Sequence, residues 1–224
     1  MTPSNIVGMA SLVGLNILAL TDHNSVKNTP AFYEACKRFG IIPIAGMELT
    51  TAEEIHVVCL FETLEGAISF GDEIDRRRVR IKNRVEIFGD QLIVDAEDNI
   101  IGREDDLLPN ATTVSLEEVP ELVERFGGVC WPAHIDRMAN GIIAVLGTFP
   151  ETPKFLCAEL NVPEKKEEYL QKYPILREKR ILCSSDSHNL WSIRDQNDSF
   201  LLEDEPYSGD LVRSNLFKVL RSAL

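Results

Sequence analysis

The chain has 224 residues, 44% of them hydrophobic, enough for one large domain around a sizeable core. Its 23 basic residues against 36 acidic ones give a formal net charge of −13, which argues against tracking along duplex DNA and leaves room for a small anionic substrate neutralised locally by cations. No apolar stretch approaches the roughly 18–20 residues of a membrane span, and the first residues lack the basic and apolar regions of a signal peptide, so no membrane association is expected.

In chain order, Thr2-Pro3 followed by Ile6, Val7, Ala10 and Val13, then Gly14, predicts a helix with proline in its first turn and a glycine stop. NILALT (16–21) reads as a short strand. Thr29-Pro30 opens a second helix reaching about Phe39-Gly40, and the strands IIPIAG (41–46) and IHVVCLF (55–61) follow. Residues 63–85 read as a long polar helix. QLIVD-AEDN-IIGRE alternates around a polar turn and predicts a β-hairpin, so residues 86–113 are treated as an insertion within a single domain spanning 1–224. Ser115-Leu-Glu-Glu118 is a capping box opening a helix to about Phe126. GGVCWPAH (127–134), KFLCAELN (154–161), RILCSSD (180–186) and SFLLED (199–204) are the remaining predicted strands.

Continuous apolar strands alternating with amphipathic helices indicate parallel strands buried on both faces, hence an α/β barrel or a closely related layered sheet. Of the five cysteines, Cys59, Cys130, Cys157 and Cys183 fall inside apolar runs, and none forms a Cys-x-x-Cys pair. Reduced, packed thiols in a cytoplasmic protein are the expectation, rather than disulfides or a zinc–thiolate cluster.

The sequence contains four histidines, and each follows an apolar strand or lies close to its end: His23, His56, His134 and His188. In a parallel α/β barrel the C-terminal strand ends converge on one face, where such enzymes place their chemistry. A lone histidine is more often a satisfied rim residue. The set, together with Asp22, Glu48 and Asp186, reads differently, because imidazoles and carboxylates gathered at one point need a cation among them. Asp186 and His188 lie two apart, so in extended backbone they face the same way. Histidine with carboxylate and no thiolate suits Zn, Mn or Fe(II), and more ligands than one tetrahedral ion uses implies a multinuclear site. Hydrolysis of a phosphoester is the chemistry that two such ions serve.

The motifs LALTDHN, GMEL with a histidine eight residues beyond Glu48, PAHIDR and SSDSH, in that order, resemble the PHP (polymerase and histidinol phosphatase) family of metal-dependent phosphoesterases over about residues 1–190. The resemblance implies a distorted (β/α)7 TIM-like barrel with up to three divalent metals. It implies that Glu48 bridges two metals, that His56 and His134 complete the second, and that Asp186 binds the first. His23 and His188 would hold the third, with Asp22 orienting a ligand rather than binding metal itself. Arg137, three residues after His134, is placed to clamp a phosphate bidentately, or else is a solvent-exposed rim arginine.

The family also begins with a strand ending in His-x-His, and this sequence contains no His-x-His. The expectation is that Met1 is an internal methionine and that the first barrel strand is missing from the chain; the competing reading is a degenerate relative. Either way Glu48, His56 and His134 remain a His₂Glu set able to hold one hydrolytic metal. Two further features have bland readings that are preferred. Arg76, Arg80 and Arg84 would share a helix face and grip a nucleotide or RNA end, or simply pair with Glu73 and Asp75 in solvent. Trp131 and Trp191 could stack on a base, or pack at the barrel mouth.

The expected function is hydrolysis of a small phosphorylated metabolite or nucleotide by a metal-activated water. The alternative is a non-catalytic PHP-like regulatory or assembly module binding one metal or none, and C–N bond hydrolysis ranks third.

Overall fold

The computed structural model describes residues 1–195, 199–205 and 208–222. It begins with helix α1 (Pro3–Leu12), strand β1 (Ile17–Leu20) and helix α2 (Thr29–Phe39). Gly40, at φ 68°, closes α2 in the left-handed conformation that glycine adopts without a Cβ penalty. Val7 and Ala10 of α1 pack on Phe32, Ala35 and Cys36 of α2. Burial pushes the Cys36 thiol up to about 12, so it stays protonated and packs as an apolar group.

Strands β2 (Ile42–Thr50) and β3 (His56–Phe61) follow, then helix α3 (Leu64–Arg77). Ala67, Phe70, Gly71 and Ile74 sit at the i, i+3, i+4, i+7 spacing of one helix face and are buried. They cover the side of the sheet formed by Met47, Leu49, Val57, Cys59 and Phe61. The chain then runs through the short helix α4 (Val85–Phe88) and the hairpin β4 (Leu92–Val94) and β5 (Ile100–Arg103). The Ser115–Glu118 capping box opens α5 (Val119–Arg125) through one turn of 3₁₀-helix. Strand β6 (Gly128–Pro132), helix α6 (Ile142–Leu146), strand β7 (Cys157–Leu160), helix α7 (Lys166–Lys172), strand β8 (Arg180–Cys183) and helix α8 (Gly209–Arg221) complete the fold.

The mixed α/β character is as expected, but the strands are not all parallel and no closed barrel forms among the described residues. One sheet has the order β1-β2-β3-β6, β7 pairs with β8, and among the described residues no ladder joins these two sheets. β1 and β2 run parallel, as do β7 and β8, whereas β3 is antiparallel to both its neighbours. The cause is the short link between β2 and β3: a turn in which Thr51 N donates to Ile55 O reverses the chain, too short for the crossover that a parallel pair requires.

Three further expectations are corrected. The 63–85 helix ends at Arg77. Arg78 turns into extended backbone and sends its guanidinium inward, so Arg80 and Arg84 do not share a helix face with Arg76. SFLLED forms no strand; Phe200 and Leu202 pack inward and Leu201 stands exposed, an alternation with no neighbouring ladder to join.

The second face of the main sheet is concave. Ile44, Val58, Leu60 and Trp131 line it, and α8 covers it with Leu216, Phe217 and Leu220, each such burial contributing about 1.5–3 kcal/mol. Gly46 is required here, because a Cβ would lie 2.7 Å from Leu60 Cδ2 and 2.8 Å from Thr21 Cγ2.

Candidate metal centre

Strand alternation carries this apolar face up to a polar rim. On β2 the inward positions run Ile42, Ile44, Gly46 and Glu48; on β3, read backwards, they run Leu60, Val58 and His56. Thr50 is opposite His56 and Glu48 opposite Val58, so Glu48 and His56 are diagonal neighbours on one face. His56 therefore reaches the rim from the start of its strand, not from its end, because β3 is reversed. His23 lies just past β1 and bridges to Glu48 in parallel register. Asn24 holds that loop: its backbone N donates to Glu48 O, and its side chain takes Thr50 N and donates to Leu108 O and Asn110 O. His134 arrives from beyond the end of β6.

The result is a carboxylate at the hub of three imidazoles. Glu48 Oε1 lies 3.0 Å from His56 Nδ1 and 3.1 Å from His134 Nε2, and those two ring nitrogens are 3.2 Å apart. Glu48 Oε2 lies 3.4 Å from His23 Nδ1. Ligand atoms of His23, Glu48 and His56 all fall within 4.8 Å of one another. Bonds of about 2.0–2.1 Å from a tetrahedral ion to its ligands put neighbouring donors about 3.3 Å apart, so these separations suit a shared cation.

The electrostatics agree. Glu48 is only 5% exposed, and burial alone would raise its pKa. Hydrogen bonds from His134 and His56, with the charge of His23, outweigh that and hold it well below the usual carboxylate range. Burial also pulls His134 down, but the bond and charge of Glu48 reverse the sign and leave it raised. His23 stays lowered, mainly by desolvation. Among the described residues no lysine or arginine pairs with Glu48. Among the described residues, buried His23 Nδ1 has no hydrogen-bond partner although Glu48 Oε2 is 3.4 Å away, a condition that a bound ion relieves.

Asp186 and His188 reach the same cavity, whose volume is about 950 Å³ and whose walls also include Asp22, Glu159 and Ser184. They do so without extended backbone: Asp186 has φ 44°, so the two-residue alternation expected for them does not operate. His188 Nδ1 instead lies 3.6 Å from Asp186 Oδ1, and its ring is 5.8 Å from that of His23. Arg137 Nη1 is 2.5 Å from Asp186 Oδ2, an ion pair not aligned as a hydrogen bond. Asp22 stands slightly apart. Its carboxylate accepts from Asn28 Nδ2 at 3.3 Å and its carbonyl from Glu48 N, and desolvation raises its pKa against the Asn28 bond.

Of the tryptophans, Trp131 is buried on the concave face and Trp191 is 90% exposed. Sequence reasoning missed Asn24 and Glu159. A lone carboxylate inside the apolar run FLCAEL is the same signal that marked Glu48, and it could have marked Glu159.

Residues 1–102, which hold Asp22, His23, Glu48 and His56, match the model of the PHP domain. No curated protein matches the chain. Among solved structures, an inferred metal-dependent phosphoesterase from Bifidobacterium adolescentis is 19% identical with a TM-score of 0.56, over 97% of this chain and 91% of that one. The lesion-specific endonuclease PfuEndoQ from Pyrococcus furiosus is 18% identical with a TM-score of 0.54, over 86% of this chain and 46% of that one. An amidohydrolase from Chromobacterium violaceum is 15% identical with a TM-score of 0.54, over 90% of this chain and 87% of that one. These three share the fold.

Proposed function

We propose that this chain is a metal-dependent phosphoester hydrolase acting on a small phosphorylated metabolite or nucleotide. The observation that carries the reading is the hub: one buried, ionised carboxylate with each oxygen turned to a different histidine set and, among the described residues, no lysine or arginine to neutralise it. Glu48 would bridge two divalent ions, of Zn, Mn or Fe type, with His56 and His134 completing one set. Asp186 would serve the other, and His23 with His188 a third. Ions held there supply an acidified water and Lewis acidity toward a phosphoryl oxygen.

The chain's own residues do the rest. Glu48 remains anionic through the working pH range and fixes the spacing of the imidazoles. Asp22 and Asn28 steady the loop that carries His23. Arg137 pairs with Asp186 of the cavity wall, and its remaining N–H groups would be offered to a phosphate. The acidic surface disfavours long polyanions, which supports a small substrate.

The test is phosphate release from p-nitrophenyl phosphate with added Mn²⁺ or Zn²⁺. Release is expected to fall by about 10³-fold in His134→Ala and under chelator, the loss of several kcal/mol of transition-state stabilisation. Release that survives both treatments overturns the proposal. Metal binding with no turnover of mono- or diesters would assign the chain to a non-catalytic metal-binding module instead.

A further inference from the structure

The sheet that carries Glu48 and His56 stops at β6, and no ladder continues it to β7 among the described residues. His134 lies two residues past that last strand, with φ 29°, a conformation that residues bearing a Cβ adopt rarely and only when their surroundings impose it. The imposing contacts cannot be those of a strand ladder on the β7 side.

Glu159 of β7 spans the break. Its carbonyl accepts Ile135 N at 2.8 Å, its Oε1 accepts His134 N at 3.3 Å and its Oε2 accepts Trp131 Nε1 at 3.4 Å. One side chain thus ties down the end of β6 and the turn beyond it. Asp136 reinforces the crossing from the other direction, accepting Asn161 N and Val162 N. The Glu159 side chain is 3% exposed and lies in the wall of the cavity that Glu48 faces. It touches none of the metal-facing side-chain nitrogens, and the proposed reaction makes no use of it.

We infer that Glu159 is a positioning residue: its carboxylate holds the His134 backbone in the left-handed turn that sets Nε2 3.1 Å from Glu48 and 3.2 Å from His56. The inference rests on the metal reading of that cluster. It adds that the affinity of the site depends on a residue that binds no metal, through a backbone hydrogen bond rather than through charge.

Calorimetric titration of Mn²⁺ into the wild-type chain, Glu159→Ala and Glu159→Gln tests it, with metal-free thermal midpoints as the folding control. Glu159→Ala should weaken binding by about tenfold or more. Glu159→Gln keeps an acceptor for His134 N while removing the charge, and should bind nearly as the wild type does. Wild-type affinity in Glu159→Ala overturns the inference, and so does Glu159→Gln binding as weakly as Glu159→Ala, which would make charge the agent. Should the alanine variant fail to fold, Glu159→Met fills the space without an acceptor and is read in the same way. If the wild type takes up no Mn²⁺, the metal reading fails by itself. The clamp is then read from the His134 ring resonances of the metal-free protein, which must move in Glu159→Met and stay in place in Glu159→Gln.

Discussion

Two buried carboxylates, Glu48 and Glu104, are handled in opposite ways. Glu104, 8% exposed, sits where the hairpin insertion docks, with Arg78 Nη1 3.0 Å from one oxygen and Lys27 Nζ on the other. Arg78 also reaches Asp75 at 3.1 Å and the carbonyl of Asp106 at 3.0 Å, and Arg80 joins Asp75 to Asp106. Every charge in that network has a counter-charge from the chain itself. Glu48 has only histidines, which are weak counter-ions near neutrality. A buried anion that the chain neutralises serves structure, whereas one left to imidazoles leaves the place that the proposed cation would fill.

The comparison breaks most visibly at the insertion. Arg78→Ala strips Glu104 of its buried partner, leaving only the half-exposed Lys27, and is expected to cost about 3–5 kcal/mol, as for other broken buried pairs; a urea midpoint measures it, and metal should not rescue it. At the hub the response should be the reverse. Mn²⁺ at 100 times its dissociation constant should stabilise the wild type by about 2.7 kcal/mol and leave Glu48→Gln unmoved, as read from thermal midpoints. The smallest effect is the acid limb. Desolvation raises the Asp75 pKa, but the bond and charge of Arg80 outweigh it and leave it below 3.8. Its contribution is therefore full above that value and lost as pH falls through the lower folded one. Asp75 is 39% exposed, so the loss should stay within the ~0.2–1 kcal/mol of surface pairs, seen as faster amide exchange in the hairpin below pH 4.

Most of the elements, and the gathering of His23, Glu48, His56 and His134, were legible because their signals are local. Helix caps, apolar runs and the clustering of histidines at strand ends need no knowledge of partners. Strand direction was not legible, since alternation reads the same both ways; only the short 51–55 link hinted at the reversal of β3. RRRVRIKNR kept a helical pattern on paper, but the buried pairing of Arg78 with Glu104 overrode it, and that partner lies 26 residues away. Phe200 and Leu202 alternate as in a strand and pack as in a strand, yet they join no ladder among the described residues. The lone carboxylate in FLCAEL marks Glu159 as buried, but its contact with the His134 backbone, made 25 residues away, is not legible in the sequence.

The reversed β3 also divides the donor set by chain entropy. Glu48 and His56 are eight residues apart, while 86 separate Glu48 from His134. By the logarithmic growth of loop entropy, bringing His134 to Glu48 costs about 2 kcal/mol more than bringing His56 there. The hairpin supplies its pair of donors almost as a local turn does, and the third imidazole is recruited only by the long-range architecture around β6 and β7.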